Sequence, residues 1–116
     1  MNFIELAHKR YSVRSYKNTP VEKEKLECIL EMGRIAPTAC NNQPHRIKVI
    51  TELTDLKKVD EITPYRFDAP LVLLICYDYS VCWKRSFDGA KSGEIDASIV
   101  TTYLMLAAQA QCLGSV

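Results

Sequence analysis

Two arginines and a serine near the N-terminus have the types and spacing to bind an anion. Arg10, Ser12 and Arg14 alternate with other residues in a segment that lacks helical periodicity, so we expect an extended chain there. Side chains at positions i, i+2 and i+4 of an extended chain share one face. A guanidinium fork matches phosphate oxygens, and a serine hydroxyl adds a short donor. The spacing suits a small phosphate site, but taken alone it favours a solvated basic surface, since Lys9 and Lys17 lie nearby.

A second polar segment, residues 37–44 with the sequence PTACNNQP, follows a predicted helix. Its amide side chains offer both donors and acceptors, which suits the edge of a heterocyclic ring. The alternative is a loop whose side chains hydrogen-bond to its own backbone, which is common for asparagine. Taken alone, the segment favours that alternative.

The other ionisable residues form no pattern typical of hydrolytic or metal chemistry. Asp88 and Asp96 are single carboxylates without a partner at a useful spacing. His45 has no cysteine or carboxylate at ligand spacing, and His8 lies on a predicted helix where a surface or packing role is expected. The sequence therefore predicts no catalytic acid, base or nucleophile and no metal ligand.

Composition places the chain among ordinary globular proteins. It has 116 residues, enough for one domain, with 47% hydrophobic and 25% charged residues and a formal net charge of +1. That balance argues against nucleic acid or an anionic membrane as partner. Five cysteines without a CxxC pair indicate reduced thiols, several of them packed in the core. The sequence thus predicts a cytoplasmic protein that does not enter a membrane.

Periodicity and local signals predict an alternation of helices and strands. The predicted elements are a helix to Lys9 capped by Asn2 and Glu5, a helix from Thr19-Pro20 to Ala36-Pro37, a strand at 46–51, a short helix capped by Thr54, a strand at 71–77 buried on both faces, an irregular segment at 80–92, and a helix from Glu94 to about Cys112. The last helix is apolar on every side. Such a helix is either central to a core or covered by a partner, and we expect a subunit interface.

Four blocks, in order along the chain, resemble the nitroreductase family. Residues 10–16 (RYSVRSY) match its opening pattern, and residues 36–44 (APTACNNQP) match its second signature. Residues 68–77 provide an Asp-Ala-Pro followed by an apolar strand. The region 96–115 provides an Asp near the start of a long apolar helix that leads to Leu-Gly-Ser. The resemblance spans essentially the whole chain, with His45 where the family usually has an aromatic residue.

The resemblance implies one α+β domain over residues 1–116, with a central, mostly antiparallel sheet flanked by helices, that forms a homodimer. It implies an FMN-dependent oxidoreductase that passes electrons from NAD(P)H to nitroaromatics, quinones or similar small acceptors. FMN would lie at the subunit interface. The residues implied to contact the phosphate and ribityl chain are Arg10, Tyr11 through its backbone, Ser12 and Arg14. Those implied to meet the flavin from the other subunit are Pro37, Thr38, Ala39 and Asn41, with Asp96 as a further flavin-side contact.

Members of this family continue beyond the Leu-Gly-Ser block, so we expect the chain to lack the family's C-terminal part. A non-catalytic or degenerate flavin-binding dimer module shares every motif above and is the main alternative. A nucleic-acid-binding domain using the basic residues near Arg10 is a third interpretation. The near-zero net charge and the lack of interleaved exposed aromatics count against it.

Overall fold

A computed structural model of the chain describes residues 1–116. It contains four α-helices, one short 3-10 turn and two β-strands, and the α+β class is confirmed. The helices are α1 (Phe3–Lys9), α2 (Lys23–Ile35), α3 (Leu53–Ile62) and α4 (Gly93–Ala110), the strands are β1 (His45–Ile50) and β2 (Val72–Tyr77), and the 3-10 turn is Ala39–Asn41.

Two local signals in the sequence give the boundaries that were expected. Asn2 Oδ1 accepts a hydrogen bond from the Glu5 amide (3.0 Å), and Glu5 Oε2 accepts one from the Asn2 amide (3.3 Å), which completes a capping box at the start of α1. Helix α2 ends at Ile35, and Ala36 has φ −59° and ψ 141° because the following proline disfavours helical geometry.

Two predicted helix starts are wrong. Helix α2 begins at Lys23 and not at Thr19-Pro20, because the chain remains extended through Glu22 (φ −62°, ψ 137°), while Val21 packs along an apolar groove. Helix α3 begins before Thr54. Its first intrahelical bonds run to the carbonyl of Glu52, which occupies the cap position without a side-chain hydrogen bond.

The two strands form an antiparallel sheet in which His45 pairs with Tyr77 and Ile50 pairs with Val72. Helix α4 packs against both strands. The prediction that β2 is buried on both faces is wrong for this chain. Leu74 is 47% exposed, because the helix covers one face of the sheet while the other stays open.

The core forms where α2 crosses α4. Its buried members are Ile29, Ala36, Val100, Leu104, Ala107 and Ala108. Gly33 permits the close approach of the two helices, since a Cβ atom at this position would lie 2.8 Å from Leu104 Cδ2. The core therefore depends on one face of α4. On other faces of the helix Ile95 and Tyr103 remain 66% and 39% exposed.

All five cysteines are free, and only Cys82 is buried. The prediction that several cysteines pack in the core is therefore wrong. Cys28 lies on an exposed side of α2, Cys40 lies in a loop, and Cys76 lies on the open side of β2.

A groove of about 1000 Å³ runs between the start of α2, strand β2 and the second half of α4. Its lining is mainly hydrophobic and includes Leu26, Leu73 and Met105. None of the four helices has the length and hydrophobicity needed to cross a membrane.

Candidate functional site

The segment 10–14 leaves α1 and runs along the end of the chain. Ser12 forms a parallel bridge with Ser115, and the Val13 amide donates to the Ser115 carbonyl (3.0 Å). Tyr11 and Val13 line the apolar groove, whereas Arg10, Ser12 and Arg14 do not. This alternation matches the period of an extended chain. The two arginines and Ser12 therefore lie on the side of the segment that faces away from the groove.

Arg10 contains a buried nitrogen that no group in the chain satisfies. Its Nη1 is buried without a hydrogen-bond partner, and so is the hydroxyl of Ser115 beside Ser12. An unpaired buried donor costs about 1–3 kcal/mol, so such groups are normally satisfied in native proteins. Arg14 is exposed and has no ion pair, and it lies near enough to Tyr16 to oppose the burial that raises the pKa of that phenol. The unpaired guanidinium donors of Arg10 and Arg14 in the segment 10–14 favour an anion as ligand.

The loop 38–43 has an unusual backbone. Cys40, Asn41 and Gln43 have φ values of 51°, 52° and 51°, in the left-handed region that non-glycine residues seldom occupy. Local hydrogen bonds fix this conformation: the Asn41 amide donates to the Thr38 carbonyl (2.9 Å), and the Gln43 amide donates to Thr38 Oγ1 (3.0 Å).

Some polar groups of the loop therefore form hydrogen bonds within the chain, as expected for a loop whose side chains bond to its own backbone. The Thr38 hydroxyl accepts from Gln43, and the Asn42 side chain donates to the Val81 carbonyl (3.2 Å). The side-chain amide of Asn41 is exposed and makes no hydrogen bond in the chain, and Pro37 is also exposed. Asn41 therefore remains available to a ligand.

Asp96 lies directly beneath this loop. It is 2% exposed, and its Oδ1 accepts a hydrogen bond from the Ala39 amide (2.9 Å). Its Oδ2 accepts one from the hydroxyl of Ser92 (2.7 Å). The sequence interpretation found no partner for Asp96, because Ala39 is 57 residues away along the chain. The sequence interpretation did not assign Ser92 to the site either. Its position just before the last helix was the only sequence feature that could have indicated a role.

Two ionisable groups beside the loop have shifted pKa values. Burial lowers the pKa of His45 and the positive charge of Arg46 lowers it further, while the Asp96 carboxylate and the nearby backbone of Gly33 act in the opposite direction. His45 Nδ1 is buried without a hydrogen-bond partner. The pKa of Asp78 is lowered mainly by the Ser80 hydroxyl, which donates to its carboxylate (2.6 Å). Both groups therefore hold their charge states near neutral pH, with His45 neutral and Asp78 ionised.

The structure does not bring the two predicted groups of site residues together in one chain. The loop 38–43 sits on Asp96 in the first turn of α4, whereas the segment 10–14 pairs with Ser115, beyond the end of that helix. At 1.5 Å per residue, α4 extends about 20 Å from Asp96 to its end. The two groups of site residues therefore lie toward opposite ends of α4.

No group of three histidine, cysteine, aspartate or glutamate residues is arranged to hold a metal ion. Ser115 is a residue that the sequence interpretation did not assign to the site. The sequence feature that could have indicated it is the Leu-Gly-Ser block. Glycine is needed at position 114 of this block, because a Cβ atom there would lie 2.7 Å from Val13 Cγ2. The block thus holds the end of the chain against the segment 10–14.

Comparison with known proteins gives a consistent result. A sequence model described as the Nitroreductase family matches residues 7–67, which include both the segment 10–14 and the loop 38–43. A crystal structure of a nitroreductase family protein from Clostridium difficile 630 aligns with a TM-score of 0.96 and 49% identity over 100% of this chain and 67% of that one.

More distant proteins extend the comparison. An FMN-dependent nitroreductase from Clostridium difficile R20291 aligns with a TM-score of 0.69 and 26% identity over 96% of this chain and 57% of its own. An FMN reductase [NAD(P)H] from Bacillus subtilis is 27% identical over 90% of this chain. The chain spans 49% of the length of that reductase, and 60% of a relative from Methanothermobacter thermautotrophicus that is 28% identical to it.

Proposed function

Since this chain belongs to the nitroreductase family, we propose that it binds FMN and passes electrons from NAD(P)H to a small acceptor such as a nitroaromatic or a quinone. The observation that carries this proposal is the buried, unpaired Nη1 of Arg10, on the same side of an extended segment as Ser12 and Arg14. FMN-linked names among the relatives point to the same cofactor.

The donors of the segment 10–14 fit the phosphate end of FMN. Arg10 and Arg14 would supply charge-assisted hydrogen bonds, and Ser12 would supply a hydroxyl donor, with Tyr11 contributing its backbone. An anionic partner would satisfy the buried Nη1 of Arg10. The chemistry of this donor set therefore suits a phosphate better than it suits a neutral ligand.

The loop 38–43 and Pro37 before it would meet the flavin ring from a second copy of the chain. Pro37 and Asn41 are exposed, Thr38 and Ala39 are half-buried, and the separation of this loop from the segment 10–14 along α4 favours a site shared by two copies. Such an interface would bury apolar side chains that are exposed in the single chain. They include Ile95 and Tyr103 on α4 and Phe3 and Ile4 on α1. The proposed assembly is a homodimer with FMN between its subunits.

Bound FMN would supply the hydride and electron chemistry, while the protein binds, orients and shields the ring. For this reason the proposal assigns no catalytic acid, base or nucleophile to the chain. The arginines would hold the phosphate end, and the exposed side-chain amide of Asn41 would offer hydrogen bonds to the ring edge. We further propose that the protein acts in the cytoplasm, in keeping with its five free thiols.

The test is an absorption spectrum of the purified protein after FMN has been added and the excess removed by gel filtration. We expect retained flavin bands near one FMN per subunit, elution as a dimer, and oxidation of NADH or NADPH when a nitroaromatic or quinone is present. A folded protein that retains no flavin would overturn the proposal. Retained flavin without turnover would instead identify a non-catalytic flavin-binding module.

A further inference from the structure

Asp96 is the carboxylate whose surroundings are hardest to explain by packing alone. It is 2% exposed in the first turn of α4, and no lysine or arginine forms an ion pair with it. A buried carboxylate is tolerated only when hydrogen bonds replace its lost water. Here the Ala39 amide and the Ser92 hydroxyl perform that role, at 2.9 Å and 2.7 Å.

The Ser92 side chain is used in an unusual way. Ser92 occupies the cap position of α4, where a serine oxygen usually accepts a hydrogen bond from a backbone amide of the first turn. It makes no such bond and donates its hydroxyl to Asp96 instead. The Ser92 amide donates to the Trp83 carbonyl (3.0 Å), so Asp96 is connected to the irregular segment 80–92 as well as to the loop 38–43.

The loop needs such an anchor because its backbone is strained. Cys40 and Asn41 follow Ala39 directly, with φ values of 51° and 52°. Strained residues of this kind persist only where the surrounding structure determines their conformation. The Ala39 amide is held from below by Asp96, and the Asn42 side chain holds the loop to Val81 from the other side.

We propose that Asp96 is a positioning residue: by binding the Ala39 amide and the Ser92 hydroxyl, it fixes the backbone of the loop 38–43 that faces the flavin. This inference rests on the proposed function for the identity of the ligand. It differs from the direct flavin contact that the family resemblance implied for Asp96, because the side chain is 2% exposed and each carboxylate oxygen accepts a hydrogen bond within the chain. Asp96 acts on the cofactor through Ala39.

Three substitutions separate geometry from charge. Asp96→Asn keeps the shape, with an oxygen for the Ala39 amide and an NH₂ group that can donate to the Ser92 oxygen. Asp96→Glu keeps the charge but moves the carboxylate by one methylene group. Asp96→Ala removes both hydrogen bonds. If Asp96 positions the loop, we expect Asp96→Asn to remain near the unmodified protein, and Asp96→Glu and Asp96→Ala to bind FMN about tenfold or more weakly.

The first measurement is hydrogen exchange of the Ala39 amide in protein without FMN, followed by NMR. Exchange should be about tenfold or more faster in Asp96→Ala and Asp96→Glu and nearly unchanged in Asp96→Asn. The second is the dissociation constant of FMN, measured from the quenching of flavin fluorescence. Leu56→Ala, on α3, is the control for general destabilisation. Leu56 is 5% exposed and belongs neither to the loop 38–43 nor to the segment 10–14.

Leu56→Ala should lower the unfolding temperature but leave the dissociation constant of FMN unchanged. The inference is overturned if Asp96→Ala leaves both Ala39 exchange and FMN affinity unchanged, or if Leu56→Ala weakens FMN binding as much as Asp96→Ala does. Should Asp96→Ala fail to fold, equal FMN affinities of Asp96→Asn and Asp96→Glu would overturn it. If the unmodified chain binds no FMN, the proposed function fails, and Ala39 exchange alone still decides whether Asp96 fixes the loop.

Discussion

The segment 10–14 and the loop 38–43 carry the two halves of the proposed site, and they treat their polar groups in opposite ways. The loop satisfies several of its donors and acceptors within the chain, through Thr38, Val81 and Asp96. The segment is held by its backbone pairing with Ser115, and it leaves Arg10 Nη1 buried without a partner. Of the three buried unpaired polar atoms in the chain, two lie at the segment or its Ser115 partner.

This difference teaches how each half would contribute to binding. A loop whose hydrogen bonds are already made presents a fixed shape, so it can contribute orientation with little ordering cost. A segment with unpaired donors gains its missing hydrogen bonds only when an anion arrives. We therefore expect substitutions in the segment to change affinity with little loss of stability. Substitutions beneath the loop should change its conformation first.

The largest effect is expected for Arg10→Met, which keeps the aliphatic stem and removes the guanidinium. FMN affinity should fall about 10-fold to 100-fold, because one or two charge-assisted hydrogen bonds are lost. The free energy of unfolding without FMN should stay the same or rise by about 1 kcal/mol, since a buried unpaired donor disappears. Fluorescence titration and urea unfolding measure the two quantities.

Lys58→Met on α3 is the matched control for Arg10→Met, because it removes one positive charge from an exposed ion pair with Asp55. Its FMN affinity should equal that of the unmodified protein. A similar loss of affinity in both variants would mean that overall charge, and not the Arg10 guanidinium, governs binding.

An intermediate effect is expected for Gly114→Ala, in which the added methyl group clashes with Val13 of the segment 10–14. The new Cβ atom would lie 2.7 Å from Val13 Cγ2 and 3.1 Å from Val13 Cβ, so the segment must move. We expect FMN affinity to fall about threefold to tenfold and the free energy of unfolding to fall by about 1–3 kcal/mol, as in overpacked sites.

The double variant Gly114→Ala with Val13→Ala tests whether the clash with Val13 is the cause. Removing the valine methyl groups gives the new Cβ atom space, so FMN affinity should partly recover relative to Gly114→Ala alone. A Gly114→Ala protein with unchanged affinity, measured by the same titration, would show that the position of the segment does not control binding.

The smallest effect concerns His45, which follows the loop and whose Nδ1 is buried without a hydrogen-bond partner. Its pKa is lowered in the folded state, mainly by burial, so the unfolded chain binds a proton at a higher pH than the folded chain does. Stability should therefore be fully present above the unfolded pKa of about 6.5, and it should decline as the pH falls toward the lower folded pKa. Urea unfolding at a series of pH values measures this decline.

In His45→Phe, the decline in stability between pH 7.5 and 5.5 should be smaller than in the unmodified protein, because the titrating imidazole is gone. His8→Gln is the control, since His8 is exposed on α1 and its loss should leave the decline unchanged. An identical pH dependence in His45→Phe and the unmodified protein would contradict the assignment to His45.

Much of the fold could be predicted because the signals that set it act over a few residues. The Asn2–Glu5 capping box starts α1, and the Ala36-Pro37 pair ends α2. Strand β1 occupies residues 45–50 where 46–51 was expected, a shift of one residue. The start of α2 was misplaced because the chain stays extended through Glu22, which a local proline signal does not reveal.

The sequence by itself determined the residue types that could bind an anion, the extended period that puts Arg10, Ser12 and Arg14 on one side, and the motifs that identify the family. Only the tertiary structure decided that Asp96 reaches Ala39 across 57 residues, and that the segment and the loop lie at opposite ends of α4. The physical reason is distance along the chain. Caps, prolines and strand periods act between near neighbours, whereas a buried carboxylate takes the donors that packing brings to it.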